Sequence, residues 1–238
     1  MMKRVLIFVV IFSLLQFIQS CSKVPQSPIP VSRPIVPVFE VFVFARCPNC
    51  PVVENILDSL KENYGDSIVV LEYHIRVLGD TISPASIYER QEFYSVGNQA
   101  PIIIVHGEEN IQGNQSVNYT LFDNYYNTIK STREDSLFLS VSINDLLGDS
   151  LWITINADTL LNLSGAKVFI CVTEDSIYFA QSGAPDSLFN NVVRFYYSAE
   201  PVFPLKIKIP RFQRNVNFVV LVQDTLSKKI RGVTQRRL

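Results

Sequence analysis

This sequence has almost no net charge. Its 238 residues include 21 lysines and arginines against 22 aspartates and glutamates, so the formal net charge is −1. Without Lys3 and Arg4, which precede a long apolar run at the N-terminus, the balance is 19 against 22, or −3. A nucleic-acid-binding domain needs a concentrated basic surface to neutralise phosphates. The composition therefore predicts no nucleic-acid partner.

Histidine is also scarce, because the chain contains only His74 and His106. Residues 136–238 contain none, and they also lack a nucleophile-elbow glycine pattern and a phosphate-binding glycine loop. This part of the chain therefore has no recognisable catalytic set. We expect it to be a docking or structural module.

The N-terminus has the anatomy of an export signal. Lys3 and Arg4 precede an apolar run over residues 5–18, which only Ser13 and Gln16 interrupt. About 14 residues make a helix of roughly 21 Å, which is too short to cross a ~30 Å hydrocarbon core comfortably. Residues 1–20 are therefore predicted to be a signal peptide. The alternatives to a lipoprotein signal are an ordinary secretory signal and an uncleaved membrane anchor.

Residues 18–21, Ile-Gln-Ser-Cys, resemble the bacterial lipobox. The resemblance implies cleavage before Cys21 and attachment of lipid to its sulfur. Ser22 follows in place of an acidic residue, which favours sorting to the outer membrane. Residues 21–37 are rich in proline and have no helical period, so we expect a polyproline-like tether. The predicted location is the cell envelope, lipid-anchored to the outer membrane and facing the periplasm or the cell surface.

Residues 38–131 have alternating strand and helix patterns. Residues 38–45 are apolar on both faces, which indicates a central strand interrupted only by Glu40. The sequence Cys-Pro-Asn-Cys-Pro at 47–51 follows and leads into a helical pattern that ends at Gly65. The remaining predicted elements are a strand at 68–75, a helix at 83–95, strands at 101–107 and 109–112, and a helix at 119–130. The order β-α-β-α-β-β-α predicts a compact α/β domain.

After residue 131 the pattern changes to short alternating segments with turn signals between them. About eight such strands over residues 136–238 predict an all-β sandwich of the immunoglobulin-like type. No internal repeat is visible. The overall composition, 47% hydrophobic and 18% charged, is that of a globular protein with room for one or two domains.

Three cysteines remain in the mature chain, Cys47, Cys50 and Cys171, in a compartment where disulfides persist. Cys47 and Cys50 follow a fully apolar strand and open a helix. The positive end of a helix favours a thiolate, so we expect Cys47 to be an exposed nucleophile with a lowered pKa. Cys50 would resolve the mixed disulfide, and Cys171 would be an inert buried thiol.

A cysteine pair at this position resembles the redox site of the thioredoxin fold. Over the whole mature chain, the sequence is similar to a thioredoxin-like outer-membrane lipoprotein family. The matching pieces are Glu40 and residues 47–51, 190–194 and 219–224. The resemblance implies a thioredoxin-like domain at 38–131, a C-terminal β-domain and membrane tethering. It names no substrate.

Two further residues enter through this resemblance. In the thioredoxin fold a cis proline faces the redox pair, and Pro101 is the matching candidate, although a strand also tolerates proline at its first position. The chain departs from thioredoxin itself by having Ala-Arg-Cys-Pro-Asn-Cys in place of Trp-Cys-Gly-Pro-Cys, which disfavours exchange with reductases of the cytosolic type.

Glu40 is a candidate proton acceptor for Cys50, because burial near the pair would raise the pKa of its carboxyl. The alternative is a strand carboxylate without a redox role. Arg46 is expected to be a solvated loop residue, with stabilisation of a Cys47 thiolate as the alternative.

A metal site is the competing use of the cysteine pair. Cys47 and Cys50 with His74 and His106 would give two sulfur and two nitrogen ligands, but the histidines are 32 residues apart and have no short ligand spacing. We therefore expect neither a metal nor a cofactor.

Two functions follow from these patterns. The first is a membrane-tethered thiol-disulfide oxidoreductase that acts on protein thiols or disulfides in the envelope. The second is a non-enzymatic lipoprotein with a structural Cys47–Cys50 disulfide and a partner-binding β-domain. The redox interpretation requires an accessible Cys47 sulfur opposite a cis proline. The sequence leaves open whether the pair would act as reductant, oxidant or isomerase.

Overall fold

Runs of β-branched and aromatic residues form most of the secondary structure. The computed structural model describes residues 33–113, 116–134, 136–145, 149–158, 162–212 and 216–237. These residues belong to one compact unit that spans Val31–Leu238. The predicted signal peptide, the lipidation site Cys21 and the tether up to residue 32 lie outside the described residues.

Three helices lie in the described part of the chain: α1 is Cys50–Tyr64, α2 is Tyr88–Phe93 and α3 is Tyr119–Ser131. Helix α3 begins after Asn118, whose side chain accepts a hydrogen bond from the Leu121 amide and so caps the helix. Short 3-10 turns at Gly65–Ser67 and Ala85–Ile87 adjoin α1 and α2.

Across the described residues, no helix combines the length and the apolar character that a membrane crossing requires.

Fifteen strands, β1 to β15, lie in the described residues. In chain order they are Arg33–Pro34, Val38–Val43, Val69–His74, Ile102–Val105, Glu109–Gln112, Arg133–Glu134, Leu139–Asp145, Ser150–Ala157, Ala166–Glu174, Ile177–Tyr178, Leu188–Phe189, Val192–Ala199, Leu205–Pro210, Val216–Asp224 and Ile230–Arg237.

Eight of these strands form one mixed sheet in the order β15-β14-β9-β12-β3-β2-β4-β5. Strand β3 runs parallel to both β2 and β12, whereas the other neighbours are antiparallel. A second sheet has the order β13-β8-β7, and two short antiparallel pairs, β1-β6 and β10-β11, complete the architecture.

Three apolar cores cover the faces of the large sheet. Helices α1 and α3 cover one face of β2, β3 and β4, where Val41, Leu57 and Phe122 are buried together. The opposite face packs against the segment that contains α2, and that core continues to Phe169 and Leu221 on β9 and β14. The three-stranded sheet covers the other face of β9 and β14.

The prediction of a thioredoxin-like α/β domain followed by a separate immunoglobulin-like sandwich is wrong. The described part of the chain is mostly β with only three short helices, and its main feature is the mixed eight-stranded sheet. The cause is the junction between β12 and β3. Val192 pairs with Glu72 in parallel, and the Glu72 amide donates to the Asn191 carbonyl at 2.9 Å. Strands β9, β12, β14 and β15 therefore extend the N-terminal sheet, so these strands and the three-stranded sheet packed on them are not a separate sandwich.

Candidate functional site

The cysteine pair lies where β2 gives way to α1. Strand β2 ends at Val43, and the Cys47 amide donates to the Phe44 carbonyl at 2.9 Å, which closes a tight turn. Cys50 is the first residue of α1, and Pro51 follows it in the first turn, where a missing N–H costs the helix nothing. The two sulfurs form a closed disulfide with an S–S distance of 2.12 Å.

The expected exposure of Cys47 is not found. Cys47 and Cys50 are each 1% exposed, and both belong to the apolar core beneath α1. In this oxidised form neither sulfur is available at the surface. An incoming thiol needs a local displacement before it can reach Cys47.

The β10-β11 hairpin, which spans residues 177–189, packs against the turn that carries Cys47. Phe189 and Ala184 share a small core with Ala45, two residues before Cys47. Gly183 lies against the Arg46 side chain, since a Cβ at Gly183 would be 3.4 Å from Arg46 Nη2. The exposed arginine expected from the sequence is thus in contact with this hairpin.

Pro101 is brought close to the cysteine pair. The Ala100–Pro101 peptide bond is cis, and Ala100 borders the core that contains both cysteines. Gly113 connects the proline loop to α1: its amide donates to the Pro101 carbonyl at 2.8 Å, and a Cβ at Gly113 would lie 2.8 Å from Cγ2 of Val53.

Glu40 is not brought to the pair. Along β2, side chains alternate between faces, and Glu40 shares its face with Val38 and Phe42, which belong to the core opposite the cysteines. Its carboxylate accepts hydrogen bonds from Arg90 at 2.6 and 2.7 Å and from Tyr73 at 2.9 Å. Glu40 is therefore the anion of a fully buried ion pair on the far side of the sheet.

A different set of acid-base groups lies on the cysteine side of the sheet. Glu72 and His74 are two residues apart on β3, so both face α1. His74 lies between two carboxylates, with Nε2 at 2.7 Å from Glu72 Oε1 and Nδ1 at 2.8 Å from Asp80 Oδ2. Asp80 Oδ2 also accepts a hydrogen bond from the Ala45 amide at 2.7 Å, which ties this cluster to the turn before Cys47.

Glu54 joins this cluster from helix α1. It follows Cys50 by one helical turn, and side chains four residues apart lie on the same helix face with Cβ atoms about 5–6 Å apart. Glu54 is half-buried as a residue, but its Oε1 is fully buried and has no hydrogen-bond partner among the described residues.

The surroundings of the cluster raise the pKa values of Glu54 and His74, so these two groups retain their protons. Burial, together with the nearby Glu72 carboxyl, raises the pKa of Glu54 to about 9. Burial alone would lower the pKa of His74, but its hydrogen bonds to Asp80 and Glu72 outweigh that effect and raise the pKa to about 9. Burial also raises the pKa of Glu72. Near neutral pH, the cluster therefore holds an imidazolium at His74 and a protonated carboxyl at Glu54.

The metal alternative finds no support in the geometry. The cysteines are bonded to each other, and both ring nitrogens of His74 face carboxylates. Within the described ranges, no group of three or more histidine, cysteine or acidic side chains is arranged to hold a metal ion. Cys171 is fully buried on the far side of the sheet, and burial raises the pKa of its thiol to about 12.

Sequence reasoning missed Glu54, Glu72 and Asp80. Two signals for the first two were present. Glu72 and His74 alternate with apolar residues in an otherwise buried strand, which places both polar groups on one face. Glu54 follows Cys50 at helical spacing. Asp80 belongs to an irregular loop, where no periodicity predicts the direction of a side chain.

No family model matches the chain, and no curated protein matches it. Among solved structures, the chain is similar to a crystal structure of protein AGR_C_4864 from Agrobacterium tumefaciens, determined by the Northeast Structural Genomics Consortium. The TM-score is 0.56 with 18% sequence identity, over 85% of this chain and 94% of that chain. At this identity, the similarity concerns the fold alone.

Proposed function

We propose that the protein is a thiol-disulfide oxidoreductase of the bacterial cell envelope, lipid-anchored through Cys21, that exchanges disulfides through Cys47 and Cys50. The proposal rests on three features that occur together. A disulfide at the start of a helix, a cis proline beside it and a carboxyl that holds a proton one helical turn further on occur together at one place. Groups with strongly shifted pKa values that converge on a reactive pair are typical of functional sites.

The exchange proceeds in two displacements. A substrate thiolate attacks Sγ of Cys47, the Cys47–Cys50 bond breaks, and its electron pair remains on the Cys50 sulfur. Glu54 donates its proton to the Cys50 thiolate. A second substrate thiolate then attacks the substrate sulfur of the mixed disulfide. It releases Cys47 as a thiolate, so the substrate dithiol is oxidised and the protein is reduced.

The same steps in reverse reduce a substrate disulfide. The Cys47 thiolate attacks first, and the Glu54 carboxylate accepts the proton of Cys50 as Cys50 displaces the substrate. A carboxyl with a pKa of about 9 matches an ordinary thiol, so the proton moves between them with little driving force in either direction. The reduction potential of the pair decides which direction prevails.

Burial of Cys47 means that the oxidised structure does not present the accessible sulfur that the redox interpretation requires, so exchange needs a local opening. We propose that the hairpin at 177–189, which packs on Ala45 and Arg46, moves to make that opening. Ala100 and Pro101 would then form the opposite wall of the opening, because Ala100 packs against the core that contains the cysteines. Exchange is therefore expected to be limited by a local opening.

A redox titration of the folded protein tests the proposal. We expect a midpoint between about −300 and −100 mV. We also expect Cys50→Ser to trap envelope proteins as mixed disulfides through Cys47. The matched control is Cys47→Ser, which retains only Cys50, the resolving thiol of the proposed mechanism, and should trap far less. Equal capture by both variants, or capture by neither, contradicts the proposal.

A structural disulfide in a partner-binding lipoprotein is the second candidate, and the burial of both cysteines favours it. The same titration separates the two functions. If the disulfide stays oxidised at every buffer potential above about −300 mV, it is a structural bond.

The anchor is tested separately. Cys21→Ser should move the protein from the membrane fraction to the soluble fraction and abolish incorporation of labelled fatty acid. A variant that stays in the membrane fraction contradicts lipidation at Cys21 without affecting the redox proposal.

A further inference from the structure

The outward face of the three-stranded sheet has an unusual composition for a solvent-exposed surface. Strands β13, β8 and β7 bury their apolar side chains against β9 and β14 and present the alternate positions outward. The outward positions are Ser140, Ser142, Asn144, Ser150, Trp152, Thr154, Asn156, Lys206, Lys208 and Pro210. The surface is thus one tryptophan, two lysines and one proline among small hydroxyl and amide side chains.

The strand register places these side chains in rows. Trp152 lies on the middle strand, with Lys208 directly opposite on one side and Asn144 on the other. In the next row, Thr154 lies between Lys206 and Ser142. Directly opposed residues have Cβ atoms about 4.5–5.5 Å apart, so each row is one continuous contact surface. Neither strand pair has a register shift, so the rows are in step.

Trp152 is the single tryptophan of the chain and is 41% exposed. A tryptophan left in water on the middle strand of a sheet forgoes the burial that its large apolar area would otherwise gain. Lysine and proline on the edge strand β13 can be explained as protection against edge pairing. That explanation does not extend to an aromatic ring on the central strand.

The aromatic surface continues past the edge of the sheet. Phe195, Tyr197, Lys206 and Lys208 line a groove of about 240 Å³ between β13 and β12, and Tyr197 is 46% exposed. The two lysines therefore lie between Trp152 and a second exposed aromatic ring. A surface with this layout fits an extended chain better than a small compact molecule.

The charge of the face is one-sided. The described outward positions of β7, β8 and β13 contain two lysines and no acidic residue, in a chain whose net charge is −1. Lys206 and Lys208 are two residues apart on one strand, about 7 Å, and point the same way. The face is complementary to a ligand that carries spaced negative charges.

We propose that this face is a binding site for an acidic polysaccharide. The apolar face of a sugar ring would pack on the Trp152 indole, the carboxylates of the glycan would pair with Lys206 and Lys208, and its hydroxyls would exchange hydrogen bonds with the surrounding serine, threonine and asparagine side chains. Two lysines without arginine give too small a basic patch for nucleic acid, and the many hydroxyl and amide groups match a polyhydroxylated ligand.

Trp152 supplies its own probe, because no other tryptophan contributes to the emission. The full-length protein is titrated with oligogalacturonate, with neutral maltoheptaose, with polyglutamate and with an oligothymidylate. We expect oligogalacturonate to change the Trp152 emission in a saturable, salt-sensitive manner, with an affinity at least about tenfold higher than that of maltoheptaose. Polyglutamate and oligothymidylate should produce no comparable change.

Variants assign the binding to this face. We expect Lys206→Gln with Lys208→Gln to weaken oligogalacturonate binding by about tenfold or more, whereas Lys167→Gln, a half-exposed lysine on β9, should leave it unchanged. Trp152→Ala, followed by calorimetry, should weaken binding to a similar extent, and Trp152→Tyr should retain most of it. Thermal unfolding curves identify any variant that has lost its fold.

Three results would overturn the proposal: no saturable change with oligogalacturonate, binding that is indifferent to Lys206 and Lys208, or equal affinity for polyglutamate or oligothymidylate. None of these results bears on the disulfide chemistry, because the assay follows neither cysteine.

Discussion

The two faces of the eight-stranded sheet both bury charged side chains, but they neutralise them in different ways. On the far face, Glu40 is matched by Arg90, and Tyr73, Tyr94 and Gln223 add hydrogen bonds around the pair. On the cysteine face, the carboxyls of Glu54, Glu72 and Asp80 surround one imidazole. The first set has one anion for one cation, whereas the second has more acids than bases.

This difference distinguishes a structural ion pair from a cluster of side chains that can transfer protons. In a balanced, hydrogen-bonded ion pair each buried charge is compensated by its partner, so the pair serves to hold the structure together. A cluster with surplus acids has to retain protons, and those protons are available to a neighbouring reaction. The position of a buried carboxylate in the sequence does not tell the two cases apart. They are told apart by the number of basic side chains that surround the carboxylate in the structure.

The largest effect is expected where the balanced pair is broken. Arg90→Met leaves Glu40 buried without a cation, so the free energy of unfolding should fall by about 3–5 kcal/mol. Chemical denaturation measures this loss. In the double variant Glu40→Gln with Arg90→Met, the loss should be clearly smaller than the sum of the two single losses. The control is Glu89→Gln, beside Arg90 but exposed, which should change stability by about 0.5 kcal/mol or less. Equal losses in Arg90→Met and in the control would contradict a structural role for the pair.

The surplus acids should give the protein an unusual dependence of stability on pH. The folded-state pKa values of Glu54 and His74, both about 9, lie above the ordinary values of 4.5 and 6.5. The folded protein therefore holds extra protons, and the stability they contribute is full below the ordinary pKa and is lost as the pH rises to about 9. Between about pH 5 and pH 9.5, we expect the free energy of unfolding to fall by at least about 2 kcal/mol.

Glu54→Gln sharpens this test. The amide cannot titrate, so the fall in stability with pH should become shallower. Reduction of the disulfide by dithiothreitol at pH 7 should also slow, because the Cys50 leaving group loses its proton donor. Glu62→Gln, an exposed glutamate on the same helix, is the control. A pH profile that is the same in wild type, Glu54→Gln and Glu62→Gln would remove Glu54 from the mechanism.

A smaller effect is expected at Gly113, which separates the proline loop from α1. A methyl group there would collide with Pro101 and approach Val53, so Gly113→Ala should cost about 1–3 kcal/mol and alter the rate of disulfide reduction. Gly165→Ala is the comparison, because it has open space and only an unfavourable backbone angle, which costs about 1 kcal/mol. Its reduction rate should match the wild type, and a shift as large as that of Gly113→Ala would refute the link between the loop and the cysteines.

The smallest change in stability is expected at Arg46. Arg46→Ala removes the side chain that packs against Gly183, so the hairpin should open more often and alkylation of reduced Cys47 should accelerate severalfold. The free energy of unfolding should change by about 0.5 kcal/mol or less. Arg76→Ala, an exposed arginine in another loop, is the control. If both variants react at the wild-type rate, the hairpin does not limit access to Cys47.

Local patterns predicted the elements well because they depend on neighbours in sequence. The predicted strand at 109–112 and the helix at 119–130 lie within a residue of Glu109–Gln112 and Tyr119–Ser131. The assembly was wrong because strand pairing between Val192 and Glu72 joins residues far apart in the chain. The continuous apolar runs at 168–172 and 218–222 were the missed signal, since strands buried on both faces belong in the middle of a layered sheet.

The residues of the candidate site show the same contrast between local and long-range information. The cysteine pair and the proline were found from local motifs. Glu40 was a candidate proton acceptor for Cys50, with a strand carboxylate without a redox role as the alternative, because the sequence shows its depth in a strand but not its face. One step along β2 reverses the direction of a side chain, so a carboxylate seven residues before Cys47 points away from it. Burial of Cys47 comes from the core it shares with Val53, Leu57 and Phe122, and those long-range contacts cannot be read from the motif itself.

The single-residue pairing between β12 and β3 makes the centre of the large sheet its weakest seam. Only Val192 and Glu72 are paired there, so the backbone contributes little, and side chains such as Gln223 reaching Arg90 hold the halves together. Partial unfolding that separates β12 from β3 would leave most of the strand pairing within each half of the sheet intact. The Glu72 amide would then exchange with deuterium sooner than the amides of the strands on either side of it.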